Sequence, residues 1–356
     1  MALKTAGLQT HIWNNNARSF ILLATYPVMM MALTWIIAAI FSGGMGWSAK
    51  YGGAPAANQV KSSAVAVDFA NNFIAQNWLF VIGIIALWFC VAYLFHTKMI
   101  RSLCHSTPVT RKEEPKLYNL LENMCISRGL ITPVLEIIET DALNAFASGI
   151  NTKTYTITVT RGLINTLDDE EIEGVLAHEL SHIMNNDVRL LIISVIFTGM
   201  VGFAAQMTWS MIRHNLFYGN RRNKNGGRLV IILMIIAIVL WAGYIATLFT
   251  RFALSRSREY MADAGAIELT KNPDAMMRAL MKISGKDRMK DIADDIALMC
   301  IENSHAFLGM FATHPPIDKR IEAISETTGT PIPVFTTAPE KASNQSGRTA
   351  DKNPWI

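Results

Sequence analysis

The sequence predicts a mainly α integral membrane protein with up to four transmembrane helices and a small β-sheet in its aqueous part. Three observations carry this reading. Four long runs lack any charged residue, basic residues stand at their ends, and most remaining charge falls in two stretches, residues 97–189 and 251–329. Of 356 residues, 51% are hydrophobic and 17% charged, against about 25% charged in ordinary soluble domains. This composition excludes a disordered polar chain and argues against a soluble enzyme. The net charge of +4 is too small for a nucleic-acid binder, so no nucleic-acid partner is expected. Cys90, Cys104, Cys125 and Cys300 include no CxxC pair, which argues against a disulfide framework or a thiolate metal site.

The runs cover residues 20–41, 78–95, 190–212 and 229–250. Crossing the hydrocarbon core takes roughly 20 helical residues, so each is a candidate span, and the bilayer is an expected partner. The first run follows a long lead and exceeds the ~7–15 residues of a signal-peptide core. It reads as an uncleaved anchor. The resulting organisation has five parts. Residues 1–97 form an amino-terminal membrane region with two transmembrane helices (about 20–41 and 78–95) and a Gly/Ala/Ser-rich external loop over 43–77. Residues 98–189 and 251–329 form a folded aqueous part, separated by the third and fourth apolar segments, residues 190–250. Residues 330–356, rich in Pro, Thr, Ser and Asn, read as a disordered tail.

Lys98, Arg101, Arg111 and Lys112 follow the second run, and Arg251, Arg256 and Arg258 follow the fourth. The positive-inside rule places both aqueous segments in the cytoplasm and the 43–77 loop outside. The turn over residues 213–228 opposes this, because it carries Arg213, Arg221, Arg222, Lys224 and Arg228. Either the last two runs dip in and return, or the charge rule loses here.

The chemistry lies at His178-Glu179-Leu180-Ser181-His182. On a helix the two histidines stand four residues apart on one face and can reach one ion. Glu179 can polarise a water on a zinc ion without ligating it. Thr166 or Asp168 can cap the helix, and the acids from Asp168 to Glu171 suit its positive end. Ile172, Val175, Leu176, Leu180 and Ile183 supply a packing surface.

A catalytic zinc needs a third protein ligand. The candidate is Glu259, just past the fourth run, with Asp263 one turn beyond it and able to accept the outer N–H of a ligating histidine. A solvated helix face is the competing meaning of these two acids. Two apolar runs lie between His182 and Glu259, an even number, so both ends return to one side of the membrane. Two imidazoles and a carboxylate suit zinc among the divalent ions.

Together with Ser257-Arg258-Glu259-Tyr260-Met261-Ala262-Asp263, this motif resembles the HtpX-type membrane zinc metallopeptidases, kin of the eukaryotic CAAX prenyl endopeptidase. The resemblance covers roughly residues 112–325 and adds Asn144-Ala145-Phe146-Ala147 and Thr313-His314-Pro315-Pro316. It implies a gluzincin-like catalytic domain in which His178, His182 and Glu259 hold Zn2+ and Glu179 is the base. The 43–77 loop and the tail depart from the family pattern. A donor other than zinc would help hold the developing oxyanion, and His314 is the candidate; it could instead occupy zinc's open position, or be a plain loop histidine.

Residues 154–160 alternate and are β-branched, so they read as a strand. As an edge strand it would pair with an extended peptide through Thr156 and Thr158, and Asn144 would bond the same peptide. The expected function is a zinc metalloendopeptidase of the bacterial cytoplasmic (inner) membrane. It would cut misfolded or damaged membrane proteins on the cytoplasmic side, in stress-linked quality control alongside other quality-control proteases. The alternative is a catalytically silent membrane adaptor or chaperone with a structural zinc, which has no need of Glu179. A metal transporter would want ionisable groups inside the spans, and all four runs lack Asp, Glu, Lys and Arg.

Overall fold

A computed structural model of the protein describes residues 8–50, 57–218, 226–252, 256–284 and 315–334. His314, Cys300, the basic residues 221–224 and the tail beyond residue 334 lie outside the described residues.

Two long helices open the chain, α1 (Leu8–Lys50) and α2 (Ala57–Cys104). At 43 and 48 residues they run about 65 and 72 Å, roughly twice the hydrocarbon thickness. This corrects the 43–77 loop. Residues 43–50 extend α1 and residues 57–77 extend α2, leaving only 51–56 between the helices. The glycines and Pro55 that suggested a loop end at residue 55, and Ala, Val, Ser, Asn and Gln without Gly or Pro then carry the helix on to Trp78. The two pack antiparallel. Trp35 Nε1 donates to Asn71 Oδ1 at 2.9 Å, and a Cβ on Gly43 would rest 3.6 Å from Ala66.

The other apolar runs form α6 (Asp187–Tyr218) and α7 (Gly226–Phe252), each long and apolar enough to cross a membrane. The α6 helix is the centre of the bundle: 61% of its apolar window is buried, against 6% for α2. Phe197 explains why, since Tyr26 of α1 stacks on it at 4.3 Å and Phe89 of α2 at 5.5 Å.

The aqueous part is a four-stranded sheet with helices around it. Strands β1 (Thr107–Pro108), β2 (Val134–Ile138), β3 (Ala145–Ser148) and β4 (Thr156–Thr160) stand in the order β1-β2-β4-β3. Strand β4 runs parallel to β2, pairing Thr156 with Val134, and antiparallel to β3, pairing Thr156 with Ser148. The expected edge strand is therefore an interior one, with ladders on both sides and every residue buried. Both faces of the strand are covered, with Thr156, Thr158 and Thr160 on one and Ile157 and Val159 on the other, the burial of a central strand. Among the described residues, the edge at that end of the sheet belongs to β3, itself buried along its whole length.

Helices α3 (Pro115–Ser127), α4 (Arg161–Thr166) and α5 (Asp169–Met184) precede the α6–α7 hairpin, and α8 (Arg256–Thr270), α9 (Pro273–Ile283) and, in the described residues, α10 (Ile317–Thr328) follow it. One core unites them: Leu121, Leu135, Ile157, Leu163, Leu176, Leu180 and Ile283 are all essentially inaccessible.

Candidate metal centre

The α5 helix begins with a complete capping box. Asp168 Oδ1 accepts from the Glu171 N–H at 3.0 Å, and Glu171 Oε2 accepts from the Asp168 N–H at 2.9 Å. From α9, Lys282 Nζ reaches Glu171 at 2.6 Å and Arg278 reaches Asp168 at 2.9 Å, which fixes the entry to the helix. Apolar residues then bury α5 on the sheet and on α9. His178, Ser181 and His182 emerge on the side facing α8, and Glu179 is buried next to His178.

Close contact of the two helices depends on Gly265. A Cβ there would lie 2.6 Å from Ser181 Oγ and 3.0 Å from Ser181 Cβ. Gly265→Val is expected to force α8 off α5, costing about 1–3 kcal/mol and lowering metal occupancy with it. Thermal unfolding and metal analysis read both, and wild-type values in both would show that α8 has room to move.

That packing delivers Glu259 to the two histidines. His178 Nε2 lies 3.6 Å from Glu259 Oε2, and His182 Nε2 lies 3.7 Å from Glu259 Oε1. One ligand atom from each of the three residues fits within 4.8 Å of the others. Tetrahedral zinc ligands at about 2.0–2.1 Å from the ion stand about 3.3 Å apart. Two imidazole nitrogens and a carboxylate at this spacing fit such an ion, with one position left over. The rings meet edge to face, centroids 4.8 Å apart.

Each imidazole has its other nitrogen on a carboxylate. His178 Nδ1 lies 3.0 Å from Asp263 Oδ1, and His182 Nδ1 lies 3.1 Å from Asp187 Oδ2. Both rings thus turn Nε2 toward Glu259, the arrangement of carboxylate–histidine–metal triads. Arg320 of α10, wholly buried, donates to both Asp263 oxygens at 2.9 and 2.6 Å and stands 3.7 Å from Glu259. Burial alone would raise the Asp263 carboxyl, but Arg320 and His178 outweigh it and hold it at about 2. Burial likewise works against the His178 imidazolium, yet Asp263 and Glu259 prevail and hold it up at about 9 in the metal-free site.

The structure therefore brings together His178, Glu179, His182, Glu259 and Asp263, all buried or nearly so. It does not do the same for the expected peptide-binding groups. Thr156 and Thr158 are buried in β4, where their backbones pair with β2 and β3. Asn144 is buried ahead of β3, where its carbonyl accepts from Thr160 Oγ1 and its Oδ1 from the Ala145 N–H. Sequence reasoning missed Asp187 and Arg320. Asp187 had a signal, a lone acid at the amino end of an apolar run five residues after His182. Arg320 had another: with Ile317, Ile321 and Ile324 it falls on the apolar face of its helix, where a cation needs a buried partner.

The membrane helices and the site define a membrane-bound metallopeptidase. Residues 111–328 match the sequence model of Peptidase family M48. A "Protease HtpX homolog" of Bacteroides fragilis is 40% identical over 91% of this chain and all of its own. Another, from Listeria monocytogenes, is 36% identical over 74% of this chain and 90% of its own. The crystal structure of S. mikatae Ste24p superposes with a TM-score of 0.45 at 19% identity, covering 75% of this chain and 65% of that one. The chain belongs to peptidase family M48. It is a multi-pass membrane protein with polypeptide substrates.

Proposed function

We propose that the chain is a zinc endopeptidase of the bacterial cytoplasmic membrane that cuts misfolded or damaged membrane proteins on the cytoplasmic side. The observation that carries this is the convergence of His178, His182 and Glu259 around one point, with the acid Glu179 beside His178. Zinc held there would lower the pKa of a bound water to about 7 and polarise a peptide carbonyl. Glu179 takes the proton of the attacking water and passes it to the leaving amine. Its burial keeps competing solvent from that proton. His314, three residues ahead of α10, is the proposed donor to the oxyanion.

Substrate recognition moves from β4 to β3. As the buried edge strand of the described sheet, lying against α5, β3 would pair its outer backbone with an extended peptide, and only an unfolded segment presents one. The names of the relatives and the basic residues after the second and fourth runs support the protease role and the cytoplasmic orientation. Helices of 32 and 27 residues support full crossings by α6 and α7, against the charge of the turn between them. Other quality-control proteases would share its substrates. The test is cleavage of one membrane protein in folded and heat-unfolded form. Selective loss of the unfolded form is expected, and equal cleavage of both would contradict the quality-control role.

Zinc takes neutral imidazole, whereas His178 is held up at about 9 without metal. Zinc uptake at pH 7 is therefore expected to release about one proton per chain and to weaken as pH falls. Calorimetry in buffers of different ionisation enthalpy reads this directly; a heat independent of buffer would contradict it.

A further inference from the structure

The α6–α7 hairpin separates the two ligand-bearing helices in sequence, yet their ligands must meet. It leaves the site at Asp187, the first residue of α6, and the chain re-enters the site in α8, whose third residue is Arg258. The Asp187 carboxylate lies between these ends. Its Oδ2 is 3.1 Å from His182 Nδ1, and its Oδ1 is 4.0 Å from Arg258 Nε. The side chains of Asp187 and Arg258 are only 4% and 9% exposed, so water screens the pair little. The turn that launches α6 is itself held. Asn186 takes a left-handed φ of 57°, a conformation Asn tolerates, and its Oδ1 accepts from the Tyr155 hydroxyl at 3.4 Å.

We propose that Asp187 is a positioning residue for the metal site and that with Arg258 it clamps the base of the membrane hairpin. The proposal rests on the reading of His178, His182 and Glu259 as the metal ligands. By accepting the Nδ1–H of His182, Asp187 leaves the Nε2 lone pair facing Glu259 and fixes the ring plane. Arg258 anchors that carboxylate from the residue next to Glu259. One ion pair thus sets the outer partner of one ligand and the neighbour of another. Because its two halves sit at the two roots of the hairpin, a shift of α6 against α5 moves the acceptor of His182. The seating of the hairpin in the bilayer is in this way written into the geometry of the site.

An acid at a helix amino terminus also stabilises the helix by itself, and the experiment separates the two roles. Zinc affinity of the full chain in detergent is measured by chelator competition on a Glu179→Gln background, which prevents self-cleavage. The cobalt(II) absorption spectrum and the thermal midpoint are recorded in parallel. Asp187→Ala is expected to weaken zinc binding by about 10–100-fold and to shift the cobalt bands. Asp187→Asn keeps an acceptor oxygen and is expected to fall between Asp187→Ala and wild type. Wild-type affinity in Asp187→Ala would overturn the proposal. So would equal losses in both variants that track a lowered thermal midpoint, the mark of a helix-end stabiliser. Should Asp187→Ala fail to fold, wild-type affinity in Asp187→Asn overturns it instead. His182→Ala is the control for the ligands: if it binds zinc like wild type, the ligand assignment fails, an outcome distinct from failure at Asp187.

Discussion

Glu179→Gln is expected to reduce peptide cleavage by at least about 100-fold, and up to 10,000-fold, while about one metal ion per chain remains bound. The amide is isosteric with the acid and keeps the packing of α5, but it cannot take a proton from water. Glu179 is not among the three side chains grouped as ligands, so the metal should survive the change. Cleavage of casein by purified wild type and variant, with metal content read in parallel, measures both quantities. Equal cleavage by the two proteins would remove Glu179 from the mechanism. Loss of the metal with the activity would make it a structural part of the site.

Arg320→Met should have the largest effect on stability. The guanidinium is wholly buried, and Asp263 and Glu259 lie on it. Removing one partner of a buried ion pair leaves an uncompensated charge, which typically costs about 3–5 kcal/mol. Methionine fills most of the volume, so the loss is electrostatic rather than a cavity. The loss has a defined pH dependence. In wild type the Asp263 carboxyl is held at about 2, below its unfolded value of about 3.9. Its contribution is therefore present above about pH 4 and lost as pH falls through about 2. In Arg320→Met the main cation holding it down is gone and burial pushes it up. The gap between the two proteins should be widest at neutral pH and narrow in acid. Thermal unfolding of metal-free protein at pH 7 and pH 4 reads this, and a gap that is constant or widens in acid would contradict the pairing.

What could be read in the sequence follows from how local each feature is. The α5 helix was legible except for the choice between Thr166 and Asp168 as its cap, because its acidic first turn, its apolar positions and both histidines sit within one 16-residue segment. Glu259 and Asp263 were legible as a pair one turn apart, and the even number of apolar runs told that they could return to α5. Arg320 meets His178 across 142 positions, a contact no local pattern encodes. The 43–77 segment was misjudged because composition was averaged over a stretch whose glycines end at Gly53. Residues 154–160 were legible as a strand, but a strand's neighbours are set by its partners. Only the ladders to Val134 and Ser148 show that it lies inside the sheet.

The most direct test of the metallopeptidase reading is a zinc titration of the chelator-stripped chain in detergent, with casein cleavage as the readout. Cleavage should be absent at the start and rise in proportion to zinc until about one equivalent per chain. His182→Ala should stay inactive throughout. Undiminished cleavage by the stripped protein, or full recovery in His182→Ala, would contradict a catalytic metal at His178, His182 and Glu259.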